Sequence, residues 1–111
     1  MESILTSIKK LLGITEDCTD FDIDIVMHIN SVFSVLTQLG VGPSEGFSIE
    51  NDKDTWDEYM SDNPKLNMVK TYIYQKVRLA FDPPTNSTVS ASLERMISEL
   101  EFRLKVEAET K

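Results

Sequence analysis

The sequence holds one cysteine, one histidine and one tryptophan among 111 residues. A lone thiol, Cys18, has no partner for an intrachain disulfide, which fits a reducing compartment such as a cytoplasm. A lone imidazole, His28, leaves no second histidine for a metal pair. There is no P-loop, no GxSxG, no HExxH and no paired CxxC, so the parts of the common catalytic centres are missing. No apolar run approaches the roughly 20 residues that cross a bilayer. The first residues carry Glu2 and no long apolar core, unlike a signal peptide. Cations are scarce as well: 11 Lys and Arg stand against 19 Asp and Glu, for a net charge of -8. Gripping a phosphate backbone needs a basic face. The balance instead suits a protein that sits near DNA without sticking to it, or one that docks on a basic partner.

What is present is an ordinary globular chain. Its length suits one domain, residues 1–111, able to bury roughly two-thirds of its unfolded surface without disulfides or metal. Hydrophobic residues at 41% and charged residues at 27% exclude full disorder. The periodicity predicts an all-α fold, a compact helical domain of four to five helices with an acidic loop insertion at about 41–63. The first helix covers Ser3 to Leu12, with Gly13 as its stop. The second follows a cap at Thr19, with Asp22 completing a variant capping box, and buries Phe21, Ile25, Ile29, Val32, Phe33, Leu36 and Leu39. Phe47 and Ile49 suit a brief extended stretch, and a short helix begins at Asp54 or Thr55. A fourth helix starts at Pro64 behind an Asn63 cap. Its stripe is Leu66, Val69, Ile73, Val77 and Ala80, with Tyr72 beside it. Asp82-Pro83-Pro84 stops it. Thr85, Ser87 or Thr88 caps a fifth helix with Leu93, Ile97, Leu100 and Leu104 on one side. Val89, Met96 and Phe102 add apolar surface beyond that stripe. A polar C-terminal tail, about 106–111, frays.

Each candidate for chemistry has a plainer reading. His28 has Asp24 as its one helical neighbour of the right kind, and a structural histidine is favoured. Cys18 lies among Glu16, Asp17 and Asp20, which oppose a thiolate, so a bystander thiol is favoured. Asp52, Asp54, Asp57 and Glu58 invite a calcium loop. Counted from Asp52, however, Asp57 stands where glycine is needed and Asn63 where glutamate is needed. No catalytic, cofactor or metal residue is assigned. Trp56, Tyr59, Tyr72 and Tyr74 lack the interleaved cations of a nucleic-acid stacking platform, leaving core packing or a protein interface. The acidic loop residues Glu45, Asp52, Asp54, Asp57 and Glu58 are expected to be exposed and to face a channel or a tail protein. Neutralising Asp52, Asp54 and Asp57 together is expected to leave stability unchanged. Val89, Leu93, Met96, Phe102 and Arg103 are the candidate interface residues.

Read in order, KKLLGITEDCTDFDIDIVMHINSVFSVLTQLGVGP, DTWDEYM, VKTYIYQKVRLAFDPP and ELEFRL resemble a tailed-phage head-tail connector of the small adaptor type. Such proteins are also described as phage DNA-packaging or head-completion proteins and occur in prophages of Gram-positive bacteria. The resemblance runs from about Ile4 to Leu104. It rests most on LLGI before an acidic stretch and on YIYQKVRLAFDPP. It implies a structural, non-enzymatic virion subunit, made in the host bacterial cytoplasm and placed at the head-tail junction. It implies a ring of about twelve copies below the portal protein. The ring would contact a stopper or tail-completion protein and pass DNA without binding it specifically. It also implies that Leu93 to Lys111 docks on the portal. From charge alone, the alternative is an acidic helical DNA mimic that blocks a nucleic-acid-binding partner.

Overall fold

A computed structural model describes residues 2–60 and 64–109. Five helices follow in order: α1 (Ile4–Leu11), α2 (Asp22–Gln38), α3 (Trp56–Tyr59), α4 (Leu66–Phe81) and α5 (Ser87–Glu109). The described residues contain no strand, and the fold is all-α. Their backbone makes one isolated bridge, Ser3 to Thr55.

The helices α2 and α4 form the centre. Ile25, Ile29, Phe33 and Leu36 of α2 are fully buried, as are Val69, Ile73 and Val77 of α4. The pair runs antiparallel, since Phe81 at the end of α4 meets Phe21 at the start of α2 edge-on, with ring centroids 5.5 Å apart. The helix α5 lies antiparallel on the other side of α4. Leu93, Ile97 and Leu104 enter the same core. The Tyr72 hydroxyl donates to Glu101 at 2.7 Å, and Lys76 lies 3.6 Å from that carboxylate. At the far end Gly40 turns the chain after α2 with φ +85°, and a Cβ there would meet Ala108 of α5 at 3.3 Å.

The helix α1 is fastened by a buried cation. Its N-cap Ser3 accepts from the Thr6 amide, and Ile4, Leu5 and Ile8 fill the core beside α2. Lys9 is only 3% exposed. Its ammonium sits 2.9 Å from Asp22 Oδ1 and donates to the Glu16 carbonyl at 3.1 Å. A buried charge is tolerated only when paired and hydrogen-bonded. This contact therefore sets the start of α2 relative to the end of α1.

Several boundaries differ from expectation. Phe21, not Thr19, precedes α2, and it makes no side-chain cap bond. The Thr19 carbonyl instead accepts from the Asp22 amide. Phe21 is 45% exposed because its ring covers Phe81 at the rim. The expected Asn63 cap lies outside the described residues, and α4 begins at Leu66, two residues after Pro64. Ala80 is exposed, while Tyr72 and Gln75 are buried, because α4 has neighbours on two sides. Asn86 caps α5 by accepting from the amides of Thr88 and Val89. That is the role expected of Thr85, Ser87 or Thr88. The helix continues through the expected tail to Glu109, held by Ala108 against the core.

Two stability measurements check this core. Ile29→Asp or Ile73→Asp places an unpaired carboxylate at a fully buried position and should unfold the chain, at a cost of several kcal/mol. Either variant melting at the wild-type temperature would refute the assignment. Ser7→Ala should cost about 1–3 kcal/mol in thermal denaturation. It leaves the buried Trp56 indole N–H, which donates to Ser7 Oγ at 2.7 Å, without an acceptor.

Candidate assembly surfaces

The acidic segment between α2 and α4 is firmly attached to the core. Ile49 is 2% exposed. The Asn30 side chain donates to its carbonyl at 3.0 Å and accepts from its amide at 2.8 Å. One amide side chain thus does for Ile49 what a neighbouring strand would do, and no strand forms. Phe33, Phe47 and Tyr59 stack into an aromatic cluster with centroids 4.7 to 5.1 Å apart. Trp56 is buried against α1, which places it in the core.

Of the five carboxylates expected to be solvated in this segment, Glu45, Asp52 and Asp57 are exposed. Asp54 departs from that expectation. It is half-buried, and its carboxylate accepts from the amides of Glu50 at 2.8 Å and Asn51 at 3.3 Å. Glu58 is exposed but structural, because it completes a capping box with Thr55 at the start of α3. The triple neutralisation would therefore weaken one structural acceptor as well as removing two solvated charges.

The single histidine and cysteine are not brought together with catalytic partners. His28 is half-buried beside Phe81. It lines a groove of about 310 Å³ between α2 and α4 with Val32, Val35, Lys76 and Leu79. Cys18 is a half-buried free thiol. Among the described residues no group of three or more His, Cys, Asp or Glu is placed to hold a metal ion. No described helix is long and apolar enough to cross a membrane.

Among the described residues, large apolar side chains are exposed at Leu11 of α1, at Phe21 on the rim, and in two larger groups. On α5 Met96 is 50% exposed and Phe102 67% exposed, with Val89 and Val106 also open. Leu93, expected at this interface, belongs to the core at 7% exposure because it shares the register of Ile97 and Leu104. Arg103 is exposed and pairs with Glu99 at 2.6 Å, one turn earlier on the helix. The second group is at the start of α2. Ile23 is 80% exposed and Met27 63% exposed. They border a groove of about 440 Å³ lined also by Leu5, Val26, Glu50 and Asp52. Sequence reading missed this surface, because α2 is apolar on most of its circumference and its outer residues pass for core.

Exposed apolar side chains beside a satisfied helical core are the kind of surface that assembling proteins use. The sequence model of the phage connector protein family matches residues 4–111, and the chain belongs to that family. It is therefore a structural connector component of a phage virion, which assembles with other phage head or tail proteins. No curated protein and no solved structure shows significant similarity to it.

The Tyr59 hydroxyl is buried without a hydrogen-bond partner among the described residues, and burial pushes its pKa from 10.0 up to about 12. Folding thus favours the neutral phenol. The associated stability is intact below pH 10 and is lost as pH rises toward about 12, by about 2–3 kcal/mol. Burial, then the hydrogen bond to Glu101 and its charge, raise the Tyr72 pKa in the same direction. Tyr59→Phe should be neutral or stabilising at pH 7 and should shrink the alkaline loss. Urea titrations across that pH range measure both, and a clearly destabilised variant at pH 7 would contradict the assignment. A second comparison separates the loop carboxylates. Asp54→Ala should lower stability by about 1–2 kcal/mol, whereas Asp52→Asn and Asp57→Asn should leave the melting temperature unchanged.

Proposed function

We propose that this chain is the adaptor subunit of the head-tail junction, forming a ring of about twelve copies below the portal protein. The ring extends the DNA channel and offers a platform to a stopper or tail-completion protein. The observation that carries this reading is α5. Its core stripe is already satisfied by burial of Leu93, Ile97 and Leu104, yet Met96, Phe102 and Val106 remain open. A leftover apolar strip on a stiff helix is what an assembly interface requires. Arg95 and Arg103 on the same strip favour one register over others.

Charge supports the channel role. With a net charge of -8 and exposed Glu45, Asp52 and Asp57, the surface repels phosphates and lets DNA slide. The acidic DNA-mimic alternative rests on charge alone, and membership of a connector family leaves it without a supporting observation.

The test is made in the phage that encodes the chain. Phe102→Ala removes an exposed ring and should leave the fold intact. Electron micrographs of lysates should show DNA-filled heads lacking tails, with a marked loss of titre. Normal tailed particles at wild-type titre would remove α5 as the assembly surface.

A further inference from the structure

We infer that the groove at the start of α2 receives a basic segment of another head or tail protein, one with a large apolar side chain flanked by Lys or Arg. The inference goes beyond the ring reading. It rests on the assembly role of the connector family and not on the number of copies. The groove has two walls. One is α2, where Ile23 and Met27 lie one turn apart and are 80% and 63% exposed. The other is the loop from Glu50 to Asp52. Asn30 anchors that loop through both backbone groups of Ile49. The Asp54 carboxylate fastens it again by accepting from the amides of Glu50 and Asn51. The hollow of about 440 Å³ between the walls, lined also by Leu5 and Val26, is therefore formed before anything docks. A pre-formed site lowers the ordering cost of binding.

The charges around the groove define its occupant. Glu50 and Asp52 lie on the lining and are exposed. Asp20 and Asp24 are exposed on the α2 side, and Asp24 shares a helix face with Met27, three residues on. Asp22, also on the lining, is matched by buried Lys9 at 2.9 Å. No described Lys or Arg lines the groove; exposed Lys53 follows Asp52 on the loop. Unmatched carboxylates therefore surround two exposed apolar side chains. An acidic segment would be repelled there. A segment with Lys or Arg on either side of an apolar residue would cover Ile23 and Met27 and pair the rim. The exposed surfaces of the chain itself do not have that character. Groove against groove sets carboxylate against carboxylate. The outer face of α5 mixes Arg95 and Lys105 with Glu94 and Glu107, and its Arg103 is paired with Glu99. Lys10, next to exposed Leu11, shares its hollow with Glu2 and Glu16. The occupant is thus a different protein.

Photocrosslinking during infection tests the inference on the full chain. Benzoylphenylalanine replaces Met27 in the phage that encodes the chain, and replaces exposed Ser44, beyond the opposite end of α2, as a control. After irradiation, mass spectrometry of the digested products identifies the peptide joined at Met27. The expected peptide belongs to another phage head or tail protein and places Lys or Arg around an apolar residue. It should be absent from the Ser44 sample. A synthetic copy of that peptide is then titrated onto the purified chain. Asp24→Asn with Asp52→Asn, both exposed and thus expected to keep the wild-type melting temperature, should weaken its binding roughly five- to tenfold at low salt. Added salt should weaken binding to the wild type as well. Glu94→Gln with Glu99→Gln on α5 should leave it unchanged. Four results overturn the inference: a crosslink mainly to a second copy or to a host protein, a crosslink to an acidic or uncharged segment, no product above the Ser44 control, or binding indifferent to the Asp24 and Asp52 changes. None of these touches the ring reading, which the Phe102→Ala particle assay judges separately.

Discussion

The double burial of α4 is the constraint on which the rest of the molecule depends. One side of this helix packs on α2 through Val69, Ile73 and Val77, while Tyr72 reaches α5 and bonds Glu101. A helix covered on two sides cannot keep a simple polar back. It therefore buries Gln75, whose Oε1 has no hydrogen-bond partner among the described residues, at a cost offset by the surrounding apolar contacts. With α4 in the middle, α2 and α5 become outer helices, each with a face turned to solvent. The apolar residues on those faces are then the natural places for contacts with other chains.

This arrangement explains which parts were legible beforehand. The α5 stripe of Leu93, Ile97, Leu100 and Leu104 has clean 3.6-residue spacing and is buried or half-buried as expected. By the same register Leu93 could not also serve an outer interface. The apolar stripes of α2 and α4 were legible from Ile25, Ile29 and Ile73. The second face of α4 was not, because Tyr72 and Gln75 resemble flanking residues until α5 is placed beside them. Lys9 looks in sequence like any lysine near a helix end, and only the tertiary approach of Asp22 makes it a buried ion pair. The loop carboxylates looked alike in sequence. Backbone geometry separates Asp54 and Glu58, which cap local amides, from Asp52 and Asp57, which are solvated. Ile23 and Met27 were hidden for the opposite reason, since a helix apolar on most sides gives no sign of which side is free.

Charge and shape support the same functional picture from different directions. A family of phage connector proteins supplies the structural role. The excess of carboxylates suits a wall past which DNA slides without binding. Four of the eleven cations are held by carboxylates of other segments: Lys9 by Asp22, Lys70 by Glu2, Lys76 by Glu101 and Lys65 by Glu107. Arg103 pairs with Glu99 on the exposed face of α5, where charges of both signs lie beside Met96 and Phe102.

The central claim is that copies of this chain form a closed ring between portal and tail. The most direct measurement is an electron cryomicroscopy reconstruction of the head-tail junction in mature particles. The account predicts a ring of this all-helical subunit immediately below the portal, with its acidic segment lining the channel or meeting the tail. A junction in which portal and tail proteins meet directly, with this chain absent or bound elsewhere on the particle, would contradict it.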